Sequence, residues 1–384
     1  MLSDQDSKPM YEKIFEILVQ DIRNGKYRRG QRIPSEMELA EKYNVSRITS
    51  RKSLEMIASQ GLIARKPGKG SFVVDAMEQT PDDQASSYMP VRRTDVPVLG
   101  LIMTDFGESY GIDLLRGIES AAEQHGAFLL LRRSFGKPER EERAIREFTE
   151  LGANGFIIFP GHGRYINTEI LKLVINKIPL VLIDRYLKGV EAASVSTDHA
   201  AAAREGAKHL LEWGHRRIGL LSPPPVDTSA TEERMEGFVQ AHAEQGVAIE
   251  KNYWLNDITS TLPGSFTKEN IERDIDKIKN HLQQHPDMTA IFATEYNIAL
   301  LAKAAIGQLG LTVPGDISVV CFDCPPSNPG SGYWFTHLLQ QQEEMGRRAV
   351  ETVLKLRKGE PVDMTVRLAA RLVQGESTAA ANKK

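Results

Sequence analysis

Pro34-Ser35-Glu36-Met37-Glu38-Leu39-Ala40, Ser46-Arg47-Ile48-Thr49-Ser50-Arg51 and, further on, Lys66-Pro67-Gly68-Lys69-Gly70-Ser71-Phe72 decide the fold of the first 75 residues. Ser35 and Glu38 have the spacing of a capping box: the hydroxyl takes an orphan backbone N–H and the carboxylate reaches back to the cap. A helix therefore begins at Glu36, with Leu39, Ala40 and Tyr43 facing inward. Asn44-Val45 makes a turn, and Ser46 is a good N-cap for the next helix. On that helix Ile48, Leu54, Ile57 and Ala58 are the core candidates, and Gly61 ends it. Upstream, Tyr11, Ile14, Phe15, Leu18, Val19 and Ile22 recur at helical spacing and give a first helix one apolar face.

Arg47 and Arg51 are four residues apart and share a helix face, with Thr49 and Ser50 near the same end. A charge run alone is usually a solvated face. Here the order is helix, capped helix, arginine-bearing helix, then a Gly-Lys-Gly turn between apolar strands, where backbone can approach a phosphate closely. That is the plan of a winged helix-turn-helix, whose third helix offers its N-terminal residues to base edges. Arginine is the usual bidentate reader of guanine.

The stretch resembles the GntR family of bacterial winged-helix regulators. The matching segments are Met10-Tyr11, Gly30, Ile33-Pro34-Ser35-Glu36, Glu38-Leu39-Ala40, Val45-Ser46-Arg47, Arg51, Gly61-Leu62-Ile63 and Gly68-Lys69-Gly70-Ser71-Phe72-Val73, nearly all of residues 8–75. The resemblance implies base readout by Arg47, Thr49, Ser50 and Arg51. Tyr11, Ser35, Glu36, Ser46, Lys52, Lys69 and Gly70 complete the DNA-binding face as caps, phosphate contacts or wing. Three positions depart. Met37 stands where the family often has arginine, which removes one DNA contact. Ser50 and Ser53 replace small apolar residues, which predicts looser helix packing.

The chain's 384 residues suffice for two or three domains with proper cores. A hydrophobic content of 41% and a charged content of 26% are ordinary for a soluble globular protein. No apolar run is long enough to span a membrane, and an N-terminus bearing Asp4 and Asp6 is not a secretory signal. Two cysteines argue against a disulfide framework and fit a reducing compartment; the expectation is a cytoplasmic protein. The net charge of −3 hides an asymmetry, with +4 on residues 1–75 and −7 on the remainder. A basic head on an acidic body confines DNA contact to one end. Because +4 is modest, a homodimer presenting two heads is expected.

Residues 76–96, with Thr80-Pro81-Asp82-Asp83 and Ser86-Ser87, lack apolar periodicity and read as a linker. From residue 97 to 384 apolar strands alternate with amphipathic helices: strand Val98–Met103, helix Gly111–His125, strand Phe128–Arg132, and onward to strand Val319–Asp323. Such alternation implies parallel sheets flanked by helices, and its length implies two of them. The expected fold is α/β: a small N-terminal winged helix-turn-helix plus a two-lobed body. Ligands bind at the carboxyl ends of parallel strands, where Pro160, Asp184-Arg185, Thr294-Glu295 and Asp323 fall. A sugar wants bidentate acceptors, a forked donor and an aromatic face.

Other constellations reduce to structure. Gly214-His215-Arg216-Arg217 is a helix end turning into a strand, its glycine a C-cap. Cys321-Phe322-Asp323-Cys324 has no further cysteines to complete a four-thiolate zinc site. His281 and His285 lack the intervening glutamate of a zinc-protease helix and read as surface histidines. No phosphate-binding, nucleophile-elbow or dinucleotide motif is present, so neither an enzyme nor a cofactor is expected.

Residues 97–375 resemble the LacI/GalR sensor domain, related to periplasmic sugar-binding proteins. The carrying segments are Leu114-Leu115-Arg116-Gly117-Ile118-Glu119, Pro179-Leu180-Val181-Leu182-Ile183-Asp184-Arg185, His209-Leu210-Leu211 with Gly214-His215-Arg216-Arg217-Ile218, Arg234-Met235-Glu236-Gly237-Phe238, and Val313-Pro314-Gly315-Asp316-Ile317-Ser318-Val319-Val320. By that likeness an effector lies between two subdomains joined by three crossings. Its contacts fall on Tyr110 as stacking aromatic, Asp184, Arg185, Arg234, Thr294, Glu295, Asp323 and the hinge-proximal Gln340. Thr294-Glu295 replaces the usual Asn-Asp, Gly111 a second aromatic, and Cys324 an acidic residue. A GntR reader on such a sensor resembles the arabinose-repressor type of regulator. The implied behaviour is repression of a pseudo-palindromic operator, relieved by a pentose such as arabinose or a related carbohydrate. A purine- or nucleoside-sensing regulator is the rival on ligand grounds, but a nucleobase wants more stacking aromatics than Tyr110. A cytoplasmic ligand-binding protein that activates transcription is a further alternative.

Overall fold

The capping box forms as its spacing requires. Ser35 Oγ accepts the Glu38 N–H at 3.3 Å and the Glu38 carboxylate accepts the Ser35 N–H at 2.6 Å. The computed structural model describes residues 9–28, 30–59, 62–66, 70–74, 96–161, 167–225, 228–325 and 334–381. Two units emerge, Met1–Arg92 and Arg93–Lys384.

The first unit holds α1 (Met10–Arg23), β1 (Arg32–Ile33), α2 (Glu36–Tyr43), α3 (Arg47–Ser59), β2 (Ile63–Lys66) and β3 (Gly70–Val73). Asn44 turns the chain between α2 and α3 in a left-handed conformation, φ 50°. The strands form an antiparallel sheet in the order β1-β3-β2. Ile14, Leu18, Ile33, Leu39, Leu54, Ile57 and Ile63 make its core. Two expectations fail on α3. Ile48 is not in the core but 80% exposed. Ser50 and Ser53 do not loosen the packing; both are fully buried and stitch the helices together. Ser50 Oγ donates to the Glu36 carbonyl of α2 at 2.7 Å, and Ser53 Oγ to the Tyr11 carbonyl of α1 at 2.8 Å. The polar atom is satisfied on a neighbouring helix, so burial costs little.

The second unit contains two parallel sheets. The first lobe comprises β4 (Val98–Met103), α4 (Ile112–Gln124), β5 (Phe128–Arg133), α5 (Pro138–Glu150), β6 (Gly155–Ile158), α6 (Thr168–Ile175), β7 (Leu180–Ile183) and β8 (Ala193–Thr197). The chain then enters the second lobe: α7 (His199–Glu212), β9 (Ile218–Leu221), α8 (Ser229–Glu244), β10 (Trp254–Leu255), α9 (Lys268–Gln284), β11 (Ala290–Ala293), α10 (Tyr296–Gln308), β12 (Ser318–Phe322) and β13 (Thr336–Leu339). It returns through α11 (Gln342–Arg357) and β14 (Thr365–Leu368) to the first lobe and ends with β15 (Arg371–Val373) in the second. The strand orders are β14-β8-β7-β6-β4-β5 and β10-β9-β11-β12-β13-β15. Only β15 among the described strands of this unit pairs antiparallel.

The chain thus passes between lobes three times, at Asp198, at Gln340-Gln341 and at Ala369-Ala370. Thr197 Oγ1 donates to Gln340 Oε1 and Gln341 Nε2 to the Ala369 carbonyl, both at 2.7 Å, so the crossings are tied to one another. Small residues set the helix spacing. A Cβ on Gly117 of α4 would meet the Glu343 carbonyl of α11 at 2.2 Å, and one on Gly237 of α8 the Ala200 carbonyl of α7 at 2.0 Å. His281, expected on the surface, is buried, with its Nε2 3.2 Å from the Tyr253 carbonyl. Among the described residues no helix is long and apolar enough to cross a membrane, and no cluster of three metal-ligating side chains occurs.

Candidate functional site

Two surfaces gather the residues singled out above. The first is the face of α2 and α3. Ser46 caps α3, its Oγ accepting the Thr49 N–H at 3.2 Å and lying 2.8 Å from the Thr49 hydroxyl. The side chains of Arg47 and Arg51 are 71% and 62% exposed. They belong to a ladder of ion pairs: Arg47 to Glu36 (3.6 Å), Glu36 to Arg65 (2.5 Å), Arg65 to Glu55 (3.6 Å) and Glu55 to Arg51 (2.9 Å). Exposed pairs of this kind are weak, so phosphate or guanine can replace the carboxylates. Lys52 stands over the Tyr11 ring at 3.7 Å, a cation–π contact that joins α1 to this face. Ser35 and Glu36 start α2 beside it. Ser50 is excluded as a base reader, because its hydroxyl is buried and already bonded to the Glu36 and Arg47 carbonyls. Gly70 has φ 108°, and a side chain there would strike Arg32; Lys69 lies outside the described residues.

The second surface is a cavity of about 280 Å³ between the lobes. Asp184 and Asp323 follow β7 and β12, one in each lobe, and both take left-handed backbone conformations, φ 63° and 56°. Non-glycine residues rarely do so, and such strain concentrates at ligand sites. Both are nearly buried. Tyr110 donates its hydroxyl to Asp184 Oδ1 in a short hydrogen bond, and Arg185 Nε lies 3.5 Å from Asp184 Oδ2. Gln340 donates to Asp323 Oδ2 at 2.7 Å, while Asp323 Oδ1 has no hydrogen-bond partner. Burial pushes the Asp323 carboxyl up to about 7 against the opposing pull of Arg234 and Gln340. Burial raises Glu295 as well, again opposed by Arg234.

Arg234 reaches this floor from α8. Its Nη1 donates to the Thr294 carbonyl at 2.7 Å, its Nε to His199 Nδ1 at 3.3 Å, and its guanidinium lies 4.0 Å from the Phe322 ring centre. His199 Nε2 is 3.2 Å from the Asp184 carbonyl. Desolvation and the adjacent Arg234 hold His199 well below its usual range. A neutral ring that accepts at Nδ1 and donates at Nε2 satisfies both contacts.

Tyr110, Asp184, Arg185, Arg234, Glu295, Asp323 and Gln340 therefore share one cavity. Thr294 does not line it; it is fully buried behind Arg234 and serves through its carbonyl. Sequence reasoning missed His199, for which no motif speaks, and most of the walls. Phe106, Phe159, Leu262, Phe266 and Tyr296 also face the cavity, so Tyr110 is one of five aromatics there. Phe159 follows β6 and was legible as a strand end; Phe266 belongs to a loop with no pattern. Asp274, fully buried, fixes that loop by accepting the N–H groups of Thr259 and Ser260 at 2.8 and 2.6 Å. A wider groove of about 930 Å³ passes α4 and the crossings. It is lined by solvated side chains such as Arg116, paired with Asp113 and Glu343, and lacks the buried floor of the interlobe cavity.

Comparison with known proteins finds matches for both parts of the chain. Residues 10–73 match the bacterial regulatory proteins of the gntR family, and residues 207–378 the periplasmic binding protein-like domain. The chain is 28% identical over 327 residues to the arabinose metabolism transcriptional repressor of Halalkalibacterium halodurans, covering 84% of this chain and 82% of that one. It is 27% identical over 362 residues to the repressor of the same name from Geobacillus stearothermophilus, covering 92% and 93%. Among solved structures, the transcription regulator CcpA of Lactococcus lactis shares the fold with a TM-score of 0.63 at 20% identity, over 74% of this chain and 99% of that one.

Proposed function

We propose that this chain is a transcriptional repressor, joining a GntR-type helix-turn-helix to a LacI/GalR-type domain, and that it is released by a small sugar held between the lobes. The carrying observation is the cavity floor. Asp184 and Asp323, one from each lobe, face it with Arg185 and Arg234 beside them, and Asp323 Oδ1 is buried and unpaired. An acceptor left so must find a donor, and vicinal hydroxyls supply donors to carboxylates and acceptors to guanidiniums. The carboxylates of Asp105, Asp184, Glu295 and Asp323 outnumber the two arginines, which favours an uncharged sugar over a sugar phosphate. A pentose such as arabinose fits this reading, as the names of the two curated relatives suggest.

In this mechanism two copies form a homodimer in the cytoplasm, and their heads occupy the half-sites of a pseudo-palindromic operator. Arg47 and Arg51 face the bases, with Thr49 beside them sharing its hydroxyl with the Ser46 cap. Tyr11, Lys52, Lys69 and Gly70 contact backbone, while Ser35, Glu36 and Ser46 hold the helix starts. Sugar and operator then oppose each other through one coupling free energy, about 1–3 kcal/mol in typical cases.

The test is competitive. Full-length protein is bound to a duplex selected from a random pool, then titrated with pentoses, hexoses, sugar phosphates, nucleosides and purines. A neutral pentose is expected to lower operator affinity. Release by a purine or nucleoside, with every sugar inert, overturns the sugar reading. The five aromatics make the nucleoside the second reading, since Phe106, Phe159 and Phe266 join Tyr110 and Tyr296 as stacking surfaces.

A further inference from the structure

Ile48 is a large apolar side chain that the fold of the head leaves in water. It is the second residue of α3 and 80% exposed, whereas Leu54 and Ile57 of the same helix are buried. The first turn of α3 offers little else to a partner. The hydroxyls of Ser46 and Thr49 are engaged with each other in the N-cap, and that of Ser50 is buried. What projects is Arg47, Ile48 and, one turn on, Arg51. A single exposed isoleucine is unremarkable on most surfaces. This one stands at the end of a recognition helix that enters the major groove. There thymine alone presents a C5-methyl group, which is read by apolar contact.

We infer that Ile48 determines specificity by packing on a thymine methyl beside the guanine read by Arg47 or Arg51. The inference rests on DNA binding by this face. A β-branched side chain has few χ1 rotamers, so Ile48 presents its hydrocarbon in a fixed direction. Met37, the second residue of α2 and 61% exposed, offers another apolar surface, but a flexible one. The starts of α2 and α3 are tied by the Ser50 hydroxyl on the Glu36 carbonyl, so Ile48 is held in a defined position relative to Glu36 and its arginine partners.

The experiment selects binding sites for the full-length protein from a random duplex pool without sugar. Enriched half-sites are expected to carry thymine at a fixed offset from a guanine. Replacing that thymine by uracil removes only the methyl group and should weaken wild-type binding about three- to fourfold. Ile48→Ala should bind the thymine and uracil duplexes equally, Ile48→Val should keep part of the difference, and whichever of Arg47→Ala and Arg51→Ala loses the guanine preference should retain it. Thermal melts matching the wild type are expected for both Ile48 variants, because the side chain lies outside the core. A wild-type protein indifferent to uracil at every thymine overturns the assignment, as does an Ile48→Ala variant that keeps the full difference. Failure to enrich any site overturns the DNA-binding reading, and the inference with it.

Discussion

Asp323 concentrates the chemistry of the interlobe cavity in one carboxyl. Burial raises it to about 7, Arg234 and Gln340 pull the other way, and the charge of Asp184 adds to the rise. In the empty protein it is therefore half protonated near neutrality. An effector hydroxyl donating to Oδ1 favours the carboxylate, so binding expels the proton. The sign follows: affinity is full above pH 7 and falls as pH drops through it, by up to about tenfold per unit. Effector titrations at pH 8, 7 and 6 check this, and Asp323→Asn should bind weakly with most of that slope gone. A flat profile in the wild type would show that the charged carboxyl is not used. The residue was legible because a polar side chain at the end of the run Ser318–Phe322 breaks an otherwise apolar strand. Thr294 had the same signature yet faces away, since the sequence does not reveal which side of a strand end turns toward the cleft.

At the scale of elements, α3 shows how a pattern misleads. Its inward face is Ser50, Ser53, Leu54 and Ile57, at the 3-and-4 spacing of a buried helix stripe. Two of the four are serines, so hydropathy hides the stripe and points to Ile48 instead. Ile48 is two residues from Ser50, which places it about 200° around the helix, in water. The serines act by hydrogen bonding to α1 and α2. Ser50→Ala is accordingly expected to cost the head about 1 kcal/mol in chemical denaturation while leaving the selected DNA sequence unchanged. A changed base preference at equal stability would restore Ser50 as a reader. The long periodic elements, α1, α4, α7 and the apolar strands β4, β9 and β11, were readable from spacing alone. Elements such as β8, β13, β14, β15 and α11 were not. Most are short or lie beyond the last strand read, at Asp323, and α11 returns to pack on α4 through Gly117 and Gly346, a contact that only the folded chain reveals.

Over the second unit as a whole, α8 links the cavity to the contact between lobes. Arg234 and Thr231 face the cavity. The adjacent Glu233 takes a forked pair from Arg367 of β14, at 2.9 and 3.2 Å, and Glu232 an ion pair from Lys188 at 2.6 Å. Arg367 and Lys188 belong to the first lobe, so both pairs cross the cleft. They are not equivalent. The Glu233 side chain is 10% exposed, while those of Glu232 and Lys188 are 44% and 69% exposed. Water and salt screen the second pair; the first is forked and its Glu233 end is nearly buried, although Arg367 itself is 38% exposed, so its loss costs more. On the proposed function, effector binding draws on the lobe arrangement that the Glu233 pair stabilises, so loss of that pair lowers the competent population and with it the apparent affinity. Glu233→Gln should therefore weaken effector binding about fivefold or more, and Glu232→Gln less than about twofold. Both should leave operator affinity without sugar near the wild-type value, since neither residue belongs to the head. Calorimetric titration of the two variants, paired with duplex binding in the absence of effector, makes the comparison. Equal losses in both would place the coupling elsewhere than in the forked pair.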